Sequence, residues 1–228
     1  MTPSFMRHAA FFGPEDQHTP VSIIGAGAMG SFIALLLAKM GCTRFKLWDS
    51  DLVESHNLPN QTYDVEHIGM AKVDALTLVL QRFNPDVQVE TYNRFFSSEK
   101  DRDNLSGIVI MSVDSMAARR DIGEAIRNNW SVDRAFETRI GFKYGEVNIL
   151  DPLDPAKLNE WSNALRDDSE VPDGPCSEKI CTTFVALVSA FIVEQVCAFL
   201  SSKRRNTTFN TKAKTYFELS DNVATYQF

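Results

Sequence analysis

Three glycines, a run of acidic and amide side chains, one lysine and one cysteine carry the chemistry this sequence offers. Gly25, Gly27 and Gly30 follow the apolar run Val21–Ile24. Asp49 stands nineteen residues after Gly30, at the end of a second apolar run, Arg44 to Trp48. Glycines at this spacing allow a tight turn and bring backbone N–H groups close to phosphate oxygens at a helix N-terminus. An acidic residue at the end of the next strand is placed to hydrogen-bond a ribose. Beyond it come Asp51, Asn57, Asn60, Gln61 and, after Gly69, Lys72. Lys72 supplies positive charge against phosphate. Asp114 closes a further apolar run that starts at Gly107, and Cys176 ends a polar stretch just before a long apolar one.

The elements needed to hold these groups are those of a strand–helix–strand nucleotide-binding unit. The run 21–24 reads as a buried strand, 31–40 as a helix and 44–48 as a second strand. Lys72 to Phe83 has apolar residues at Val73, Leu76, Val79 and Leu80, which is helical spacing, and Asn84-Pro85 stops it. Strands are expected over 87–92, 107–114, 134–140 and 145–150. A short polar helix or loop is expected over 97–105, and an edge hairpin over 214–226. Parallel strands deliver their carboxyl ends to one rim, so Gly25, Asp49 and Asp114 belong to the same crevice. The fold class predicted is α/β, a doubly wound, Rossmann-like, mostly parallel sheet with an antiparallel edge hairpin. It forms one domain over residues 1–228, with an irregular arm at 1–20.

The residues from 49 to 61 read DSDLVESHNLPNQ, and Gly69-Met-Ala-Lys72 follows. This resembles the ThiF/MoeB/HesA family, which includes the ubiquitin-activating enzymes and carries DxDxVxxSNLxRQ followed about a dozen residues later by GxxK. The resemblance implies an ATP-dependent adenylyltransferase. Such an enzyme activates the C-terminal carboxylate of a small ubiquitin-like or sulfur-carrier protein as an acyl-adenylate, with Mg²⁺ on Asp114. It also implies a crossover loop over the active site, here 151–181, in which Cys176 or, second, Cys181 takes the acyl group as a thioester. A homodimer is implied too, in which Arg7 reaches the neighbouring subunit's nucleotide. The main departure is Asn60, where the family has an arginine. The lost charge-assisted contact is worth on the order of 1.5–3 kcal/mol, with Arg7, Arg119, Arg120 and Arg139 as candidate replacements. Two alternatives remain at this level: an NAD(P)-dependent oxidoreductase, and a non-catalytic subunit of a heteromeric activating enzyme.

Composition narrows the partners. A net charge of −7 with no basic stripe argues against nucleic acid. Lys203-Arg204-Arg205 reads as a solvated helix end. The apolar run 182–200 has the length of a membrane span but contains Glu194 and Gln195, and reads as a helix buried on the sheet, not a membrane partner. No signal peptide is visible, and four cysteines without a disulfide framework fit a reducing, cytoplasmic compartment. Residues 176–181 read CSEKIC, which lacks the doubled CxxC of a zinc site, so no structural zinc is expected. Cys42 and Cys197 read as packing residues, as do Trp130 and Trp161. His8, His18, His56 and His67 read as surface or capping residues.

Overall fold

The structure is a computed structural model and describes residues 3–141, 144–170, 181–220 and 223–227. Strand β1 (Val21–Ile24) is buried along its whole length, and helix α1 (Ala28–Met40) returns over it to β2 (Arg44–Trp48). Helix α2 (Lys72–Phe83) leads to β3 (Gln88–Tyr92), and the short α3 (Ser98–Asp101) to β4 (Gly107–Met111). Then come α4 (Met116–Ile126), β5 (Val132–Ile140), β6 (Tyr144–Leu150), α5 (Pro155–Asn163) and α6 (Thr182–Arg205). Strands β7 (Lys214–Ser220) and β8 (Val223–Gln227) close the chain.

All eight described strands join one sheet in the order β3-β2-β1-β4-β5-β6-β7-β8. The first five are parallel to one another, and β6, β7 and β8 are each antiparallel to the strand before. Strand order therefore reverses between β1 and β4, which opens a crevice at their carboxyl ends. Alternation along the central strands sorts the core into two layers. Val21, Ile23, Phe45, Leu47, Ile108 and Ile110 pack with α1, α2 and α6, whereas Ile24, Trp48, Val109 and Met111 pack with α4 and α5.

Helix α6 is the one described helix long and apolar enough to cross a membrane. Its residues Phe184, Val185, Val188, Ile192, Val196 and Leu200 recur at helical spacing and are buried in the core. Each contributes about 1.5–3 kcal/mol by leaving water.

Three expectations need correction, and one holds with an addition. The run from Gly107 does not extend as strand to Asp114. It ends at Met111, where the Ser112 hydroxyl donates to the Ile24 and Gly25 carbonyls (3.1 and 2.7 Å) and the chain turns away. The polar stretch after Asp151, read as loop, contains α5. Asp154 caps it by accepting from the Lys157 N–H (3.0 Å), Pro155 takes its first position, and Leu158 and Trp161 are buried. The basic cluster is the exposed last turn of α6, as expected, and it has partners besides water. Lys203 reaches Asp133 of β5 (2.5 Å), whereas Arg204 reaches the buried Asp16 (3.1 Å) and Arg205 the Ala10 carbonyl, so the helix end also ties down the N-terminal arm. Trp130 is not a packing residue, being 83% exposed.

Candidate functional site

The glycine turn is shaped by close backbone approach. Gly25 has φ +95°, and a Cβ there would lie 2.6 Å from the Ser112 carbonyl oxygen. A Cβ on Gly30 would overlap the Gly25 carbonyl, so α1 could not begin beside β1 with any larger residue. Gly27 caps α1 without a side chain, and nothing lies within 4 Å of where its Cβ would be. The helix N-terminus therefore opens onto free space with its first amides bare, the arrangement that accepts phosphate.

Asp49 stands at the end of β2 beside this turn. Its carboxylate accepts the Ala26 N–H (2.7 Å) and the Asp51 N–H (2.9 Å). Burial pushes its carboxyl above the ordinary range, against the opposing pull of Lys72 and of these two amides. The side chain expected at a ribose thus also braces the glycine turn.

Lys72 is the first residue of α2 and is buried, with Nζ 2.7 Å from the exposed carboxylate of Asp51. Its backbone N–H donates to the Asp51 carbonyl (2.9 Å). Tyr63, which has no signature in the sequence, ties this group to the glycine turn. Its buried hydroxyl donates to the Ala26 carbonyl (2.6 Å) and lies 3.3 Å from that of Lys72.

The amide run behaves unevenly. Asn57 is buried, and its Oδ1 accepts the Glu54 N–H (2.9 Å) in a capping box, so it shapes the loop. Asn60 Oδ1, Gln61 Oε1 and Thr62 Oγ1, on three consecutive residues, are buried oxygens without a partner among the described residues. The segment is tied to α1 through the Thr62 N–H, which donates to Ser31 Oγ (3.2 Å). Buried polar atoms left unpaired cost about 1–3 kcal/mol each, so this cluster calls for a water or a ligand. Thr62 went unread in the sequence.

Asp114 lies exposed in the turn before α4, and its carboxylate makes no hydrogen bond or ion pair with a described residue. Ser115 caps α4 by accepting the Ala118 N–H (3.2 Å). The Asp168 carboxylate accepts from Met116 N–H (2.6 Å), Ala117 N–H (3.2 Å) and Ser115 Oγ (3.2 Å), which holds its pKa below the usual carboxylate range. Buried Arg119 donates to the Val113 carbonyl, just before Asp114, and to Glu137 and the Thr138 carbonyl. Fully buried Glu137 also receives Arg139 (2.8 Å), Asn148 (2.6 Å) and the Trp161 indole N–H (3.4 Å).

Within one chain, the arginines named as replacements for the family arginine already have partners or lie elsewhere. Arg119 and Arg139 are engaged with Glu137, and Arg120 with the Leu165 and Arg166 carbonyls (2.8 and 3.1 Å). Arg7 is exposed in the arm, next to His8, whose Nε2 donates to the Met40 carbonyl at the far end of α1 (2.9 Å). It sits at the opposite end of the sheet from the crevice.

Cys176 lies outside the described residues. Cys181 is half-buried at the N-cap of α6, with Sγ 3.1 Å from Thr183 Oγ1. The Thr183 hydroxyl, with the Phe184 amide, draws its pKa below the ordinary thiol value. The next residue, Thr182, donates to the Pro59 carbonyl (2.7 Å), so this thiol stands beside the Asn60 segment. Burial pushes the Cys42 thiol up, and raises Cys197 to about 12.

One group of metal-type side chains gathers among the described residues: Asp64, Glu66 and His67, with ligand atoms within 4.8 Å of one another. His67 Nδ1 accepts the Asp64 N–H (2.9 Å), and Arg82 lies 3.0 Å from Glu66. The arrangement is a capping box with an ion pair. His67 caps as expected, although it is buried.

Ubiquitin-like modifier-activating enzyme 5 of Arabidopsis thaliana is 25% identical over 206 residues, covering 79% of this chain and 47% of the relative. Its Drosophila ananassae counterpart is 27% identical over 202 residues, covering 79% and 50%. The chain spans about half the length of these curated relatives. Among solved structures, E. coli tRNA N6-threonylcarbamoyladenosine dehydratase, TcdA, superposes with a TM-score of 0.69 at 19% identity, covering 89% of this chain and 96% of its own. E. coli MccB, crystallised with AMPCPP and MccA, gives a TM-score of 0.69 at 13% identity, covering 92% and 63%. The sequence model of the ThiF family matches residues 6–227, nearly the whole chain, and the protein belongs to that family.

Proposed function

We propose that this protein is an ATP-dependent adenylyltransferase that activates the C-terminal carboxylate of a small ubiquitin-like or sulfur-carrier protein. One observation carries the reading: the open glycine turn, Asp49, the Lys72–Asp51 pair and three unpartnered oxygens at 60–62 stand around the carboxyl ends of β1 and β2. Membership of the ThiF family, and the ATP and AMPCPP complexes of the MccB neighbour, support the same assignment.

The residues fit ATP with Mg²⁺. The bare amides at 27–30 suit phosphate oxygens, and Gly27 leaves room for them. Asp114, an exposed carboxylate with no hydrogen bond or ion pair to a described residue, suits a hard cation that takes one or two carboxylates along with substrate phosphates. Bound Mg²⁺ would neutralise charge on the departing pyrophosphate. Lys72, held by Asp51 in a buried position, would add a fixed cation to the same end, and fixed charge does most to lower the barrier of such transfers. The carrier's carboxylate oxygen attacks the α-phosphorus, the bond to the bridging oxygen breaks, and pyrophosphate leaves.

Two further parts belong to this reading. Cys176, or Cys181 as the second candidate, accepts the acyl group as a thioester, releasing AMP. The protein acts in the cytoplasm as a homodimer, and Arg7, remote from the crevice of its own chain, contacts the partner's nucleotide.

The test is exchange of labelled pyrophosphate into ATP with a panel of small ubiquitin-like and sulfur-carrier proteins. Exchange that depends on one carrier and disappears when its C-terminal carboxylate is amidated is expected. ATP binding without exchange for any carrier would favour a non-catalytic subunit, the reading that the missing arginine at Asn60 also invites.

A further inference from the structure

Phe95 is 80% exposed, and an exposed phenyl is ordinary on its own. What sets this one apart is how firmly its backbone is held. Asp101, fully buried, receives both guanidinium N–H groups of Arg94 (2.6 Å each) and the Ser97 N–H (3.0 Å). Arg94 donates in addition to the Phe95 carbonyl (3.2 Å). The adjacent Phe96 turns inward, edge-on to Trp48 with centroids 5.8 Å apart, and Trp48 stacks on Tyr92 at 4.4 Å. Residues on both sides are therefore fixed while the ring between them faces solvent. A rigidly held aromatic loses little conformational freedom on binding, which is what a stacking platform needs.

The place fits a base. Phe95 follows the carboxyl end of β3, on the same rim as the glycine turn, and β3 is the neighbour of β2. The Asp49 N–H donates to the Tyr92 carbonyl (3.3 Å), so the end of β3 meets the residue expected at the ribose. We propose that Phe95 is the platform on which the purine base of the bound nucleotide stacks. This rests on the nucleotide-binding reading above and adds the residue that recognises the base. A phenyl face holds any purine by stacking, without reading hydrogen-bond edges, so the contact contributes affinity for a nucleoside over bare phosphates.

Isothermal titration of wild type, Phe95→Ala and Phe95→Trp with ATP–Mg²⁺ and with inorganic triphosphate–Mg²⁺ tests this. Expected are a loss of ATP affinity of about 5- to 150-fold in Phe95→Ala, unchanged triphosphate affinity, and retained ATP affinity in Phe95→Trp. The melting temperature without ligand should stay put, because the ring is exposed. Equal ATP affinity in wild type and Phe95→Ala would overturn the stacking role alone, as would an equal loss for both ligands. A wild type that bound no ATP would overturn the nucleotide reading itself.

Discussion

Replacing Lys72 by methionine separates the site from the fold. Lys72 is a buried cation at the first position of α2, where the helix dipole opposes positive charge by about 0.3–1 kcal/mol. Its attraction to Asp51 at 2.7 Å is about 6 kcal/mol gross at an effective dielectric of about 20. The Asp51 side chain is 61% exposed, however, and desolvating the ammonium opposes the gain, so the net worth of the pair falls to about 1 kcal/mol. Methionine keeps most of the buried aliphatic volume. The net change for the ligand-free protein lies within about 1 kcal/mol of zero, or roughly 2–4 °C in melting temperature for a chain of this size. The nucleotide, by contrast, loses a charge-assisted contact of about 1.5–3 kcal/mol, a 12- to 150-fold weaker Kd. Differential scanning fluorimetry with and without ATP–Mg²⁺ reads both quantities. An unchanged ATP shift, or a ligand-free Tm lowered by more than about 8 °C, would refute this reasoning and make Lys72 a structural residue.

Three more outcomes follow from the geometry. Gly30→Ala should destabilise by about 3 kcal/mol in urea titration, because its Cβ meets the Gly25 carbonyl, whereas Gly27→Ala should fold normally and bind ATP more weakly. Glu137→Gln leaves buried Arg119 without its carboxylate, while Arg139 keeps Glu146, and should cost about 3–5 kcal/mol, read as a lowered urea midpoint. In a Cys176→Ser background, Cys181 should react with iodoacetamide with a midpoint below the ordinary thiol pKa. Thr183→Val should move that midpoint up, since the hydroxyl contact to the thiolate is gone, and an unmoved profile would contradict this cause.

Legibility in the sequence tracked the range of the contacts. The glycine turn, Asp49 and Lys72 were readable because each has a local reason, a turn, a strand end or a helix start, within a motif of about fifty residues. The same locality set the five parallel strands and the final hairpin. The Glu137 cluster was not readable, because its members meet only in the tertiary fold: Asn148 through strand pairing with Glu137, Arg119 from α4 and Trp161 from α5. Tyr63 is a lone aromatic in a polar loop, and nothing nearby says that its hydroxyl meets the Ala26 carbonyl. The hold of Arg204 and Arg205 on the arm carries no local signal, because the Phe11 and Ala10 carbonyls lie more than 190 residues away. Helix α5 was missed despite an available signal, since Asp154-Pro155 is a helix start and only Leu158 and Trp161 mark its apolar side.

The central claim is that the crevice holds ATP with Mg²⁺ and not a dinucleotide. Isothermal titration of the wild-type protein with ATP–Mg²⁺ and, separately, with NAD tests it most directly. Saturable binding of ATP that requires Mg²⁺, is weakened in Asp114→Asn and has no counterpart with NAD is the predicted result. Binding of NAD with no response to ATP–Mg²⁺ would contradict the account and return the chain to the oxidoreductase reading.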